Sequence, residues 1–374
     1  MKAPFPWFGG KAPVAPQVWA ALGDVPNYVE PFLGSGAVFL ARPHPHKIAT
    51  LNDKDALVVN FYRAVKYAPR ETAEWAAWPV TESDKHAREV WILSHLPDLR
   101  PRLEADPEFY DAQMAGWWVY GVCLQIGGGW CDGKGAWVVD EGRLVKKGQS
   151  IGITRKRPHL ADGGMGIHRI GITRKRPHLT DRGKGIHRIG ITRGRPHLAD
   201  GGMGIHRISL YNKEHENHNV IFNQARTESL IAYFNELAER FATARIICGD
   251  WTRVVGPAAI FMTDSPTGIF LDPPYKAELR SEGIYREDAD GLAEAVREWC
   301  LDNGNDPRLR IVLAGYAGEG HEILEEKGWK VMAWKARGGY ANLSDECEHK
   351  ANKYKERLWI SPHCLYLGDL FQMG

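Results

Sequence analysis

Short apolar runs recur along this chain, and they stop abruptly at a glycine, a proline or an acid. The runs "ARIICGD" (244–250), "GIFLDPP" (268–274) and "LRIVLAGY" (309–316) have the length and content of buried strands. A further short strand, "KIATLND" (47–53), ends on an acid. The stretch "YVEPFLGSGAVFL" (28–40) predicts a strand, a glycine-containing turn and the start of a helix. Elsewhere the apolar period lengthens. Residues 56–68, "ALVVNFYRAVKYA", put Leu57, Phe61 and Val65 at helical spacing, and 227–242 predict another helix. Strands alternating with helices predict an α/β fold around a mainly parallel sheet. In such sheets ligands bind beyond the carboxyl ends of the strands. Glu30, Asp53, Asp250 and Asp272 all stand at such ends.

The pattern breaks in the middle of the chain. A 19-residue unit, "GITRKRPHLADGGMGIHRI" at 152–170, recurs at 171–189 and again at 190–208. The first and third copies differ only at Lys156 against Gly194. Each unit is poor in apolar residues, and "DGGMG" is turn chemistry, so no long helix is expected. The repeats hold thirteen Lys/Arg against three Asp, a surplus of ten, which leaves the remainder at −8 in a chain of net charge +2. Such a basic block reads either as a polyanion-binding surface or as a solvated loop. Arg155, Arg157, Arg174, Arg176, Arg193 and Arg195 recur in register and are the candidate phosphate contacts. The repeated histidines have no Cys or carboxylate cluster at zinc-like spacing, so no metal site is expected.

Composition narrows the class. The 374 residues allow two domains or one large domain with an insertion, and 44% hydrophobic with 25% charged residues is ordinary for a globular protein. No apolar run approaches the roughly 20 residues of a membrane helix. The N-terminus "MKAPFPWFGGK" lacks the apolar core of a secretion signal, so a cytoplasmic protein is expected. The six cysteines form no C-x-x-C pair and are expected to be reduced thiols. The chain has no P-loop pattern, which disfavours a nucleotidase of that kind.

Three features carry the chemistry. In "VEPFLGSG", Gly34 and Gly36 allow a tight turn and close approach of a ligand. Asp53 ends the following strand, where an acid can bind ribose hydroxyls. Together they point to a nucleoside-bearing cofactor. In "DPPY", Pro273 and Pro274 fix two successive φ angles and leave the carbonyls of Asp272 and Pro273 free to face a ligand. With the Asp272 carboxylate they suit an exocyclic amine with two N–H donors, and Tyr275 offers a face for its ring. Alone, the tetrapeptide reads equally well as a strand ending in a Pro-Pro turn.

In this order the residues resemble the DNA adenine-N6 methyltransferases of the Dam-like D12 class. The likeness rests on "WFGGK" (7–11), "VEPFLGSG" (29–36), Asp53, "CGDW" (248–251), "DPPY" (272–275) and the C-terminal "KANKYKERLWISP" (350–362). It implies a Rossmann-like, S-adenosylmethionine-dependent methyltransferase sheet with an inserted target-recognition region. The catalytic domain would span 1–66 and 220–374, and the recognition region 67–219, with the repeats inside it. It implies a cofactor site from Trp7, Gly10, Lys11, Glu30, Pro31, Phe32, Gly34, Gly36, Asp53, Asp250, Trp251 and Asp272. Catalysis would fall to Asp272, Pro273, Pro274 and Tyr275. The expected partner is DNA, without membrane or obligate protein partner, for a monomer that methylates a flipped-out adenine. Two rivals share these features: an RNA or other amine methyltransferase, and a non-enzymatic DNA-binding protein with a vestigial cofactor fold.

Overall fold

The computed structural model describes residues 1–7, 9–45, 47–77, 81–124, 129–140, 142–147, 220–274, 291–334 and 356–365, with backbone alone for Glu82 and 220–226. The chain divides into two compact units, Met1–Gly135 with Gly204–Gly374, and Ala136–Met203. Helix α1 (Ala15–Leu22) leads into β1 (Asn27–Glu30), a glycine turn and the short helix α2 (Ala37–Leu40). Strand β2 (Ile48–Asp53) is followed by α3 (Ala56–Tyr67), α4 (Pro69–Ala77), α5 (Glu82–Ala105) and α6 (Ala112–Leu124). Strands β3 (Trp137–Asp140) and β4 (Arg143–Lys146) form an antiparallel hairpin, the described part of the second unit. The first unit continues with α7 (Val220–Phe241), β5 (Ala244–Cys248), a 3₁₀ turn (Trp251–Val254), α8 (Pro257–Ile260) and β6 (Thr267–Leu271). It ends with α9 (Leu292–Asn303), β7 (Leu309–Tyr316), β8 (Lys330–Ala333) and β9 (Glu356–Ile360).

Seven strands make one sheet in the order β5-β2-β1-β6-β7-β9-β8. The first five are parallel, and β9 runs antiparallel between β7 and β8. The fold is therefore mixed α/β with a largely parallel sheet, as a Rossmann-like methyltransferase requires. Both faces are covered. Val29, Ile269, Leu271, Ile311 and Leu313 pack with Val254, Ile260, Val296 and Leu324 on one side. Their chain neighbours Tyr28, Phe270 and Val312 pack on the other side with Phe39, Tyr62 and Phe241. Burial on both faces is why these strands read as unbroken apolar runs instead of alternating.

The strand ends have local causes. The run at 268–274 pairs only to Leu271, because Pro273 and Pro274 cannot donate to a ladder. The run at 244–250 stops at Cys248, because Gly249 turns away at φ +140°. Helix α3 is capped by Asp55, whose carboxylate accepts from the Leu57 N–H at 2.8 Å. It is buried on nearly every side from Ala56 to Val65. The sequence suggests a single apolar stripe, but α3 lies between the sheet and a second layer made by α4, α6 and α7. The described residues between 67 and 135, which the resemblance assigns to the recognition region, thus pack in the same unit as the sheet.

Candidate active site

The sheet order reverses direction between β1 and β6, and a crevice opens there beyond the carboxyl ends of the strands. It is a cleft of about 1250 Å³. From the candidate residues it gathers Trp7, Gly10, Lys11, Glu30, Pro31, Phe32, Gly34, Asp53, Asp250, Trp251, Asp272, Pro273 and Pro274. Gly36 lies just behind the wall. Its φ is +62°, and a Cβ there would come within 3.0 Å of the Tyr62 hydroxyl. Gly34 has φ +49°, and a Cβ there would strike the Trp7 indole at 2.7 Å. The glycine turn and the N-terminal segment are therefore built against each other.

Asp53 is held by backbone. Its Oδ2 accepts from the Gly34 N–H at 2.7 Å and its Oδ1 from the Asp55 N–H at 2.8 Å. Burial, with the Asp55 charge adding to it, pushes the Asp53 pKa up to about 7 despite these bonds and a third from the Lys54 backbone. The neighbouring Asn52 amide donates to the carbonyls of Pro31 (2.9 Å) and Gly249 (3.0 Å), tying the ends of β1, β2 and β5 together. Phe32 and Trp251, from the ends of β1 and β5, stack at 6.1 Å between centroids and 27° between planes. Asp250 caps the turn that carries Trp251, accepting from the Thr252 N–H at 3.0 Å.

The charged corner lies at the end of β6. Lys11, 3% exposed, sets its ammonium 3.0 Å from Asp272 Oδ1 and 3.8 Å from Glu356 Oε2, and donates to the Gly9 carbonyl at 2.7 Å. Glu30 is buried and accepts from the Tyr28 hydroxyl at 2.9 Å. Burial raises its pKa well above the carboxylate range, and Asp272 contributes. Tyr275 and the six repeat arginines lie outside the described residues, as do the histidines of the repeats. Among the described residues no group of three or more His, Cys, Asp and Glu is placed to hold a metal ion. Among them, too, no helix is long and apolar enough to cross a membrane.

Three contributors escape the sequence pattern. Asn52 sits inside the quoted "LND" but carries no signal of a cross-strand tie. Glu356 begins a strand whose reversal is a tertiary fact. Helix α5 supplies Leu93, Leu96, Pro97, Arg100 and Pro101 to the cleft, and its two internal prolines hide it from a helix pattern.

This sheet, with its crevice at the switch point, is of the methyltransferase type, and comparison with known proteins narrows the type. Residues 7–90 match the model of the D12 class N6 adenine-specific DNA methyltransferases. The DNA N-6-adenine-methyltransferase of Escherichia phage P1 is 37% identical over 62 residues, which cover 17% of this chain and 8% of that protein. The likeness is thus carried by the segment holding Trp7–Lys11, Glu30–Gly36 and Asp53, and it spans a small part of the curated relative.

Proposed function

We propose that this protein is a site-specific DNA methyltransferase that uses S-adenosylmethionine to methylate N6 of adenine in DNA. The observation that carries this reading is convergence. Lys11, Glu30, Asp53 and Asp272-Pro273-Pro274 come from four separate stretches of chain and line one cleft. Its volume exceeds the roughly 300–1,000 Å³ of a single small-ligand site, as a cleft for a nucleoside cofactor together with a base should.

The residues fit such a cofactor. The Asp53 carboxylate accepts backbone N–H groups of Gly34, Asp55 and Lys54, and with about four acceptor positions it can still take a ribose hydroxyl. Phe32 and Trp251 offer aromatic surface for an adenine, and the bare Gly34 turn lets a ligand lie close to backbone. When bound, the cofactor supplies a methyl group made electrophilic by its sulfonium. The protein's work is orientation. The Asp272 carboxylate and the Pro273 carbonyl accept the two N–H groups of the target amine, which favours a pyramidal nitrogen and stabilises the positive charge that develops there. Adenine cannot present N6 for this inside a duplex, so the base leaves the stack, with Tyr275 as its stacking partner.

The proposal extends to a monomer acting in the cytoplasm on DNA, with residues 67–219 reading the target and the repeat arginines contacting phosphates. The test is incubation with tritiated S-adenosylmethionine and duplex DNA, with RNA in parallel. Label should enter DNA at N6 of adenine, and Asp272→Ala should abolish it while the fold persists by circular dichroism. Folded wild-type protein that labels no DNA sinks the reading, and label entering RNA alone favours the rival methyltransferase.

A further inference from the structure

One carboxylate of the charged corner is unused by this reading. Glu356 is 5% exposed and does not line the cleft. It reaches the site through the reversal of β9. Parallel strands deliver their last residues to the crevice edge, whereas antiparallel β9 delivers its first. Glu356 pairs with Tyr316, the last residue of β7, and so stands at the same sheet edge as Glu30 and Asp272. The Lys11 ammonium lies 3.8 Å from Glu356 Oε2 while holding Asp272 at 3.0 Å. One ammonium thus serves two carboxylates, one facing the cleft and one behind.

We propose that Glu356 is a positioning residue of the methyl-transfer site, which shares the Lys11 ammonium with Asp272 so that the Asp272 carboxylate keeps its strength as acceptor for the target amine. The inference rests on the function proposed above. Were Lys11 not shared with Glu356, more of the ammonium charge would fall on the carboxylate that must receive an N–H. A second carboxylate divides that charge and fixes the ammonium from the far side. Burial, opposed by Lys11 and reinforced by Asp272, pushes the Glu356 pKa up to about 7. Above that pH Glu356 is ionised and Lys11 is shared; below it Glu356 is neutral and no longer draws on the Lys11 charge. Among the described residues, the charged groups around this corner include Glu30, whose pKa Asp272 helps to raise, and Asp53 beyond it. On the strand itself, the Arg357 guanidinium donates to the Glu356 carbonyl. At the end of β7, Glu319 accepts from the Tyr316 N–H, with His321 3.7 Å away.

The experiment compares wild type with Glu356→Gln, which keeps the shape and removes the charge, by two readouts. The first is the ¹⁵N shift of the Lys11 ammonium against pH in the protein without cofactor. Wild type should show a step near pH 7, and Glu356→Gln should lack it. The second is kcat against pH with saturating cofactor and DNA. Wild-type kcat should fall as pH drops through about 7. In the variant kcat should be lower by about 10- to 100-fold at pH 8, with that limb absent and the KM for DNA unchanged. If Glu356→Gln does not fold, Glu356→Asp takes its place, with its shorter side chain shifting the step and lowering kcat. A wild-type Lys11 signal with no step, or a variant whose kcat profile matches wild type, overturns the proposal. A Lys11 step in a protein that methylates no nucleic acid overturns the functional reading and leaves the Glu356–Lys11–Asp272 coupling standing.

Discussion

Asp53 shows how one residue's surroundings set what it can do. It reaches the cleft wall with its carboxylate fixed by the backbone N–H groups of Gly34, Asp55 and Lys54, and burial holds its pKa near 7. A carboxylate accepts a hydroxyl well only when ionised, so cofactor binding should strengthen as pH rises through about 7. Calorimetry with S-adenosylmethionine between pH 6 and 8.5 checks this. Asp53→Asn should bind more weakly by about 10- to 100-fold, the loss of about 1.5–3 kcal/mol for hydrogen bonds to a charged group, and the pH dependence at this site should vanish. The linkage sign for folding is opposite. The folded pKa lies above the ordinary carboxylate value of about 4, so the folded cofactor-free protein holds the extra proton. Its contribution to stability is present below that value and is lost as pH rises toward 7. The residue type and its place after a strand are visible in the sequence. The raised pKa is not, because it comes from walls built by residues far away in the chain.

Among the elements, the strands are the most legible. Each predicted strand forms, trimmed where proline or glycine ends the ladder. The helices from 69 to 124 are not anticipated, since α5 carries Pro97 and Pro101 and α6 is apolar on most sides. A helix buried between two layers has no polar face to reveal its period. What the strands need beyond their own pattern is fixation at the crevice edge, and Asn52 provides it by bridging β1 and β5. Asn52→Ala leaves two buried carbonyls without their donor. It should cost about 1–3 kcal/mol in urea unfolding with an unchanged m-value. Cofactor affinity should fall with it, because Phe32 and Trp251 ride on the strand ends that Asn52 joins. Full affinity with full destabilisation would separate the tie from the site.

For the whole molecule, the distribution of charge matters more than its sum. The three repeats carry a surplus of ten positive charges in a chain of net +2. If their arginines neutralise phosphates, removing residues 171–189 should lower the magnitude of the slope of log K against log salt, by about 0.9 for each phosphate left unneutralised. Filter binding or fluorescence anisotropy on duplex DNA between 50 and 300 mM salt would show it; an unchanged slope would make the repeats a spacer. This charge pattern, the parallel α/β class, the strand ends bearing Glu30, Asp53 and Asp272, and the "DPP" that follows an apolar strand are properties of local sequence. They depend on residue type and nearest neighbours, so they can be read without coordinates. The order of the strands cannot, because pairing is settled by contacts between residues as distant in the chain as Asn27 and Thr267. That order put Lys11 between Asp272 and Glu356, turned β9 so that its first residue met the crevice edge, and brought α5 to the cleft wall.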